Sequence, residues 1–191
     1  MAQTAPKKLD LRVQKTRAAL TGALYDLMCE KSLDEITVTE LCERAVVRKA
    51  TFYKHFGDKS ELLTYMIHEM QDTALEENTV GYDPDDPYSY YTGVFRYLLD
   101  FIEGNERFVT NVLKSRSNAA VRTILEGQIR RDIDARLVAE EREDLREGHS
   151  MLAAVYAGAI VSAGIWWVEQ GAARPSKDEV AAQFEHYITR L

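Results

Sequence analysis

The segment from Ile36 to Leu63, ITVTELCERAVVRKATFYKHFGDKSELL, constrains the fold more than any other part of this chain, because it sets several helix ends within about thirty residues. Thr37 and Glu40 have the spacing of a capping box, in which two side chains satisfy backbone N–H groups left over at a helix start. Ile36 and Leu41 flank them as a hydrophobic staple, so a short helix is expected over about 38–45. Val46 and Val47 interrupt the polar run. A second short helix is expected over about 48–55, beginning with Arg48 and closed by Gly57 in the left-handed conformation. Asp58 and Glu61 repeat the capping spacing, and Leu62, Leu63, Met66, Ile67 and Met70 supply a third helix with a buried stripe. Two short helices on a tight link have the lengths of a helix-turn-helix.

The rest of the chain is helical in pattern as well. Val13, Leu20, Leu24 and Leu27, with Ala23 and Met28 beside them, predict one amphipathic helix over about 10–31. Lys7, Lys8, Arg12, Lys15 and Arg17 precede it or sit on its first turns. Further on, YSYYTGVFRYLLDFIEGN and ERFVTNVLK read as a helix pair broken near Gly104-Asn105. Val121, Leu125, Ile129, Ile133 and Leu137 recur every four residues, hence a long helix. Ser176 and Glu179 cap a last one, expected over about 177–190. An acidic turn is expected about residues 80–87, and an exposed bend at EEREDLREG. No strand period appears, so the expectation is all-α with about nine helices. Two units are expected: residues 1–58, an arm and helix-turn-helix domain, and residues 59–191, a regulatory and dimerisation domain.

Met151 to Val168 runs without a charge. That only reaches membrane-span length, and charged neighbours lie close on both sides with no Lys/Arg cluster at one end. A buried helix at the centre of a soluble bundle accounts for it better. The N-terminus has no apolar signal region, which predicts a cytoplasmic protein. Cys29 and Cys42 have no metal or redox spacing and read as free thiols. No catalytic triad order, metal motif, paired-carboxylate signature or phosphate loop is present, so neither an enzyme nor a cofactor is expected. Charge is uneven: residues 1–60 carry +3 and residues 61–191 carry −10, together the overall −7. A basic head on an acidic body suits a polyanion partner at one end.

The second short helix has matching chemistry. Lys49, Thr51, Tyr53, Lys54 and His55 offer donors to phosphate, while Arg48, Lys49 and Tyr53 reach toward base edges or thymine methyls from the helix start. Phe52 and Phe56, four apart, are expected to face inward and anchor it. The run Thr51-Phe52-Tyr53-Lys54-His55-Phe56, then Gly57-Asp58-Lys59 and Glu61, resembles the DNA-binding domain of TetR-family transcriptional regulators over about residues 12–65. The resemblance implies an all-helical homodimer, with a three-helix DNA-binding domain before a ligand and dimer domain. It assigns Thr51, Tyr53, Lys54, His55 and Lys59 mainly to phosphate contacts. Thr37 and Thr39 match further backbone or base contacts, and Arg48, Lys49 and Ala50 match the base-reading start of the recognition helix.

Two departures stand out. The family pattern has Ala-Gly-Val-Ser through the turn, whereas this chain has Ala45-Val46-Val47-Arg48. Glycine accepts a left-handed backbone cheaply and valine does not. Serine would also cap the recognition helix, which arginine does not do. The C-terminal GIWWVEQGAARPSKDEVAAQF resembles the closing region of a subgroup that includes a regulator of dihydroxyacetone kinase genes, some members of which act with a protein partner. By the same resemblance the last two helices form the dimer interface, with Ala154, Gly158 and Ser162 at close approach. An effector pocket is expected between the middle helices, from Tyr65, His68, Tyr97, Phe101, Phe108, Tyr156 and Trp166. The expected function is a ligand-responsive regulator, most often a repressor, on a palindromic double-stranded operator. The alternative is a protein-binding co-regulator with weak DNA affinity.

Overall fold

The computed structural model describes residues 11–77, 86, 88–139 and 148–190. Nine α-helices run through them: α1 (Leu11–Glu30), α2 (Val38–Arg44), α3 (Lys49–His55), α4 (Lys59–Glu77), α5 (Ser89–Gly104), α6 (Glu106–Lys114), α7 (Asn118–Ala139), α8 (His149–Glu169) and α9 (Lys177–Ile188). Two short 3-10 turns, Leu33–Glu35 and Gly171–Ala173, precede α2 and α9. No strand occurs among the described residues, so the all-α expectation holds. The expected acidic turn near 80–87 lies outside the described residues apart from Asp86, and EEREDLREG does so apart from Gly148.

The helix starts follow the sequence, with exchanged partners. Thr37 caps α2, its Oγ1 accepting the Glu40 N–H at 3.2 Å. The reciprocal half of that box does not form, because the Glu40 carboxylate takes the Lys31 ammonium at 2.7 and 2.9 Å. A charge-assisted contact outweighs a neutral N–H donor. The Ser176–Glu179 box at α9 is complete. Asp58 Oδ1 accepts from the N–H groups of Ser60 and Glu61 at 2.8 Å each. Glu61 reaches back past Asp58 to the Gly57 N–H at 2.6 Å.

That contact corrects the role expected of Gly57. α3 ends on Phe56 in an extended conformation, and among the described glycines only Gly171 has a positive φ. A Cβ at position 57 would lie 3.1 Å from Glu61 Oε2, so glycine there makes room for the hydrogen bond.

The left-handed residue is Val46, with φ of 55° and 91 % of its surface exposed. Arg48 follows as the α3 N-cap with no side-chain cap bond. The left-handed conformation costs an L-residue roughly 1–2 kcal/mol, and glycine returns roughly 0.5–1 kcal/mol of that as extra freedom of the unfolded chain. Val46→Gly is therefore expected to stabilise the protein by about 0.5–1 kcal/mol, read as a rise of about 1–4 °C in thermal midpoint.

Two apolar clusters organise the molecule. The first joins α1 to α4 through Leu20, Leu24, Leu27, Leu41, Phe52, Phe56 and Leu62, and continues into Phe108, Val112 and Val121 of α6 and α7. The second joins α5, α7, α8 and α9 through Phe95, Ile133, Ile160, Trp167 and Phe184. Between them, α1 is tied to α6 by polar contacts. Tyr25 Oη donates to Asn105 Oδ1 at 2.6 Å, and Asn111 Nδ2 donates to the Met28 carbonyl at 2.8 Å. The Tyr25 ring also stacks on Phe108, with centroids 5.1 Å apart.

α8 is the one described helix long and apolar enough to cross a membrane. Its Ala153, Tyr156, Ala157, Ile160, Val161, Gly164 and Trp167 are buried. Gly164 is required by close approach, since a Cβ there would sit 2.8 Å from Leu98 Cδ2 on α5.

Candidate functional site

Helix α3 has one buried and one open face. Phe52 is fully buried, Phe56 nearly so, and the two rings pack with centroids 6.1 Å apart. Arg17 from α1 lays its guanidinium over the rings of Phe56 and Tyr65, at 5.9 and 5.0 Å from their centroids. Away from those rings Lys49, Ala50, Tyr53 and Lys54 are exposed, with Ala50 and Lys54 opposite Phe52, and Thr51 and His55 are half-buried. Tyr53 stands edge-on to Phe52 and is held by it. Arg48, Thr37 and Thr39 are exposed at the starts of α3 and α2. The Thr37 hydroxyl is engaged as the cap of its own helix, as described above.

Lys59 does not join this face. Its ammonium donates to the Leu33 carbonyl at 2.6 Å, the Ile36 carbonyl at 2.7 Å and the Asp34 carbonyl at 3.3 Å. An ammonium has three donors, so Lys59 ties the start of α4 to the segment before α2, and its ammonium is engaged there and not on the open face of α3. Nothing in the sequence marks those three carbonyls as acceptors for Lys59; they are presented by the 3-10 turn at Leu33–Glu35 and its C-cap Ile36. Cys42 is buried beside α3, and burial pushes its thiol pKa up, as suits an inert core thiol.

The body contains a partly open cavity of about 200 Å³ between α4, α5, α6, α7 and α8. Of the residues expected there, Tyr97, Phe101 and Phe108 line it, and four do not. Tyr65 packs on Phe56 at 5.4 Å and donates to Glu69. His68 is exposed. Tyr156 faces α5 and packs against Tyr91 at 4.3 Å. Trp166 is 45 % exposed, because Val161, Gly164, Ile165 and Val168 occupy the cavity side of α8. Val121, Leu125 and Ile129, which the sequence reads only as a core stripe, form much of the wall.

A second surface is open and apolar. Met151, Val155 and Trp166 on α8 and Tyr187 on α9 are all strongly exposed. Ala154 and Ser162 are exposed and Gly158 half-buried along the same helix.

A short helix-turn-helix with a polar open face, set on a helical body with an apolar cavity, defines the class of bacterial helix-turn-helix regulators. Residues 20–66 match the family described as "Bacterial regulatory proteins, tetR family", and residues 90–190 match "Transcriptional regulator C-terminal region". The chain belongs to the TetR family of transcriptional regulators, a family of regulators and not of enzymes.

It is 35 % identical over 81 residues to the HTH-type regulator YxbF of Bacillus subtilis, covering 42 % of this chain and 21 % of YxbF. The chain spans between 21 % and 48 % of the length of the curated relatives it matches. Among solved structures, RolR in complex with resorcinol is similar in fold, with a TM-score of 0.62, 21 % identity, and 93 % and 89 % of the two chains covered. The dihydroxyacetone kinase operon activator DhaS has a TM-score of 0.64 at 19 % identity, with 92 % and 94 % covered. At these identities the likeness is one of fold.

Proposed function

We propose that this chain binds a palindromic DNA operator as a homodimer, acts as a repressor in the cytoplasm, and releases DNA when a small apolar effector fills the cavity. The observation that carries the reading is the two-faced helix α3. Phe52 anchors it, while Arg48, Lys49, Ala50, Tyr53 and Lys54 stand open on its outer side. Thr51 and His55 lie at the margin of that face and Thr37 and Thr39 beside it, in reach of the phosphate backbone.

The open stripe of α8 and α9 is the dimer surface in this reading. It covers Met151, Val155, Trp166 and Tyr187, which would otherwise leave large apolar side chains in water. Effector control is supported by the position of α6. That helix walls the cavity and is bonded to α1 through Asn105 at its start and Asn111 within it. RolR, of similar fold, holds resorcinol.

Selection of sequences from a random duplex pool tests the DNA reading and should yield a palindrome. On that duplex, Lys49→Ala should weaken binding at least about tenfold and lower the salt slope by about one per protomer, measured by fluorescence anisotropy. Absence of enrichment, together with capture of a stable protein partner, would instead favour the co-regulator reading. The exposed apolar Val46 at the turn is the feature that keeps that second reading in play.

A further inference from the structure

We propose that the bond between Asn105 and Tyr25 sets which spacing of operator half-sites this protein accepts, so that Asn105 is a positioning residue for DNA specificity without touching DNA. The inference rests on the reading of the chain as a homodimer on a palindromic operator, and adds the residue that fixes how far apart the two reading helices stand.

The two apolar clusters part at Asn105. Before it, the buried residues of α5, Tyr91, Phe95, Leu99 and Ile102, all belong to the cluster shared with α8 and α9. After it, Phe108 and Val112 of α6 belong to the cluster that holds α1 to α4. Within the described helices the clusters are bridged again only by α7, whose Val121 lies in the first and Ile133 in the second. That bridge is one unbroken helix. At Asn105, by contrast, one helix ends and another begins, with φ of −130° and ψ of 33°.

The Asn105 side chain closes this joint. Its Nδ2 donates to the Phe101 carbonyl at 2.8 Å, and its Oδ1 accepts from Tyr25 Oη at 2.6 Å. A carbonyl only accepts, so the amide's nitrogen end must face Phe101 and its oxygen end Tyr25. Asn105 therefore holds the end of α5 with one end of its amide and α1 with the other. From the α9 side, Lys177 pairs with Asp100 and Glu103, and Arg174 reaches Glu106 at 3.2 Å. Those three carboxylates are more than half exposed, and ion pairs of that kind contribute little. The half-buried Tyr25–Asn105 bond is the stronger determinant of the angle.

Lever length gives the scale. From Tyr25 to Leu11, α1 runs about 21 Å, so a tilt of about 10° at the joint moves its far end by about 4 Å. One base pair rises roughly 3.4 Å. Helix α3 follows α1 because Phe52 sits in the same cluster. An angle held by one bond thus decides between operators that differ by a single base pair in spacing.

The test on the full chain is a set of duplexes with the selected half-site in pairs, the spacer varied one base pair at a time. The unmodified chain is expected to favour one spacer by about tenfold or more over its neighbours. Tyr25→Phe keeps the ring on Phe108 and removes only the hydroxyl, and should reduce that preference at least about threefold. Asn105→Ala should do the same, and the double variant should be no more permissive than the more permissive single one. Affinity for a duplex with one half-site should stay within about twofold in Tyr25→Phe, because the reading helix itself is untouched. A Tyr25→Phe chain that keeps the full spacer preference, or loses affinity equally for every spacer and for the single half-site, would overturn the proposal alone. Enrichment of no paired half-sites by the unmodified chain would overturn the dimer reading and the proposal with it.

Discussion

Phe52→Ala is expected to cost the N-terminal helical unit about 3–5 kcal/mol and to abolish DNA binding. Phe52 is fully buried and is the main apolar link between α3 and the cluster of Leu20, Leu24, Leu41 and Leu62. Its loss leaves a ring-sized void that short helices on tight turns cannot close. The cluster of α5, α7, α8 and α9 shares no buried residue with it. The dimer proposed through α8 and α9 should therefore survive. Native mass spectrometry should still find the dimer, while circular dichroism should show part of the helix melting early. A variant that melts as one unit at the native temperature would mean that Phe52 does not hold α3.

Lys59→Met should lower stability by about 1–3 kcal/mol, measured by urea unfolding, without lowering the salt slope of DNA binding. Methionine keeps the length and apolar stem of lysine and removes all three donors. The carbonyls of Leu33 and Ile36 then lose a charged partner held at 2.6 and 2.7 Å; Leu33 keeps the Ile36 N–H, while a partly buried acceptor left unmet, as at Ile36, costs about 1–3 kcal/mol. A lysine contacting phosphate would behave as Lys49 is expected to, losing affinity and one unit of slope per protomer. The two substitutions thus separate a charge that builds the domain from one that faces DNA.

Much of the candidate site was legible in the sequence, and particular residues show why. Ala50 and Lys54 stand opposite Phe52, and Tyr53 about a quarter-turn from it, because a 3.6-residue period places them there, whatever else the chain does. The left-handed turn at Val46 was legible only through the resemblance, whose pattern has glycine there; the structure has Val46 at a φ of 55°. The carbonyl partners of Lys59 were not legible, because a long side chain chooses among partners that only the folded chain supplies. Glu40 was misread likewise: helix spacing offered it the Thr37 backbone, but folding brought the stronger partner, Lys31, within 2.7 Å.

By itself the sequence determined the helices, most of their caps and the two faces of α3, because these depend on neighbours within about four residues and on the period of the helix. Tertiary structure alone decided the cavity. Periodicity tells which side of a helix is buried but not whether that side meets another side chain or a void. Trp166 and Trp167 are adjacent in the sequence, yet one is exposed and the other is buried, with its Nε1 donating to the Pro175 carbonyl at 2.8 Å. The void arises where α4, α5, α6, α7 and α8 diverge. Its polar end, Tyr90 with Gln128 and Asp132, is assembled from helices α5 and α7, about forty residues apart in the chain, that only packing brings together.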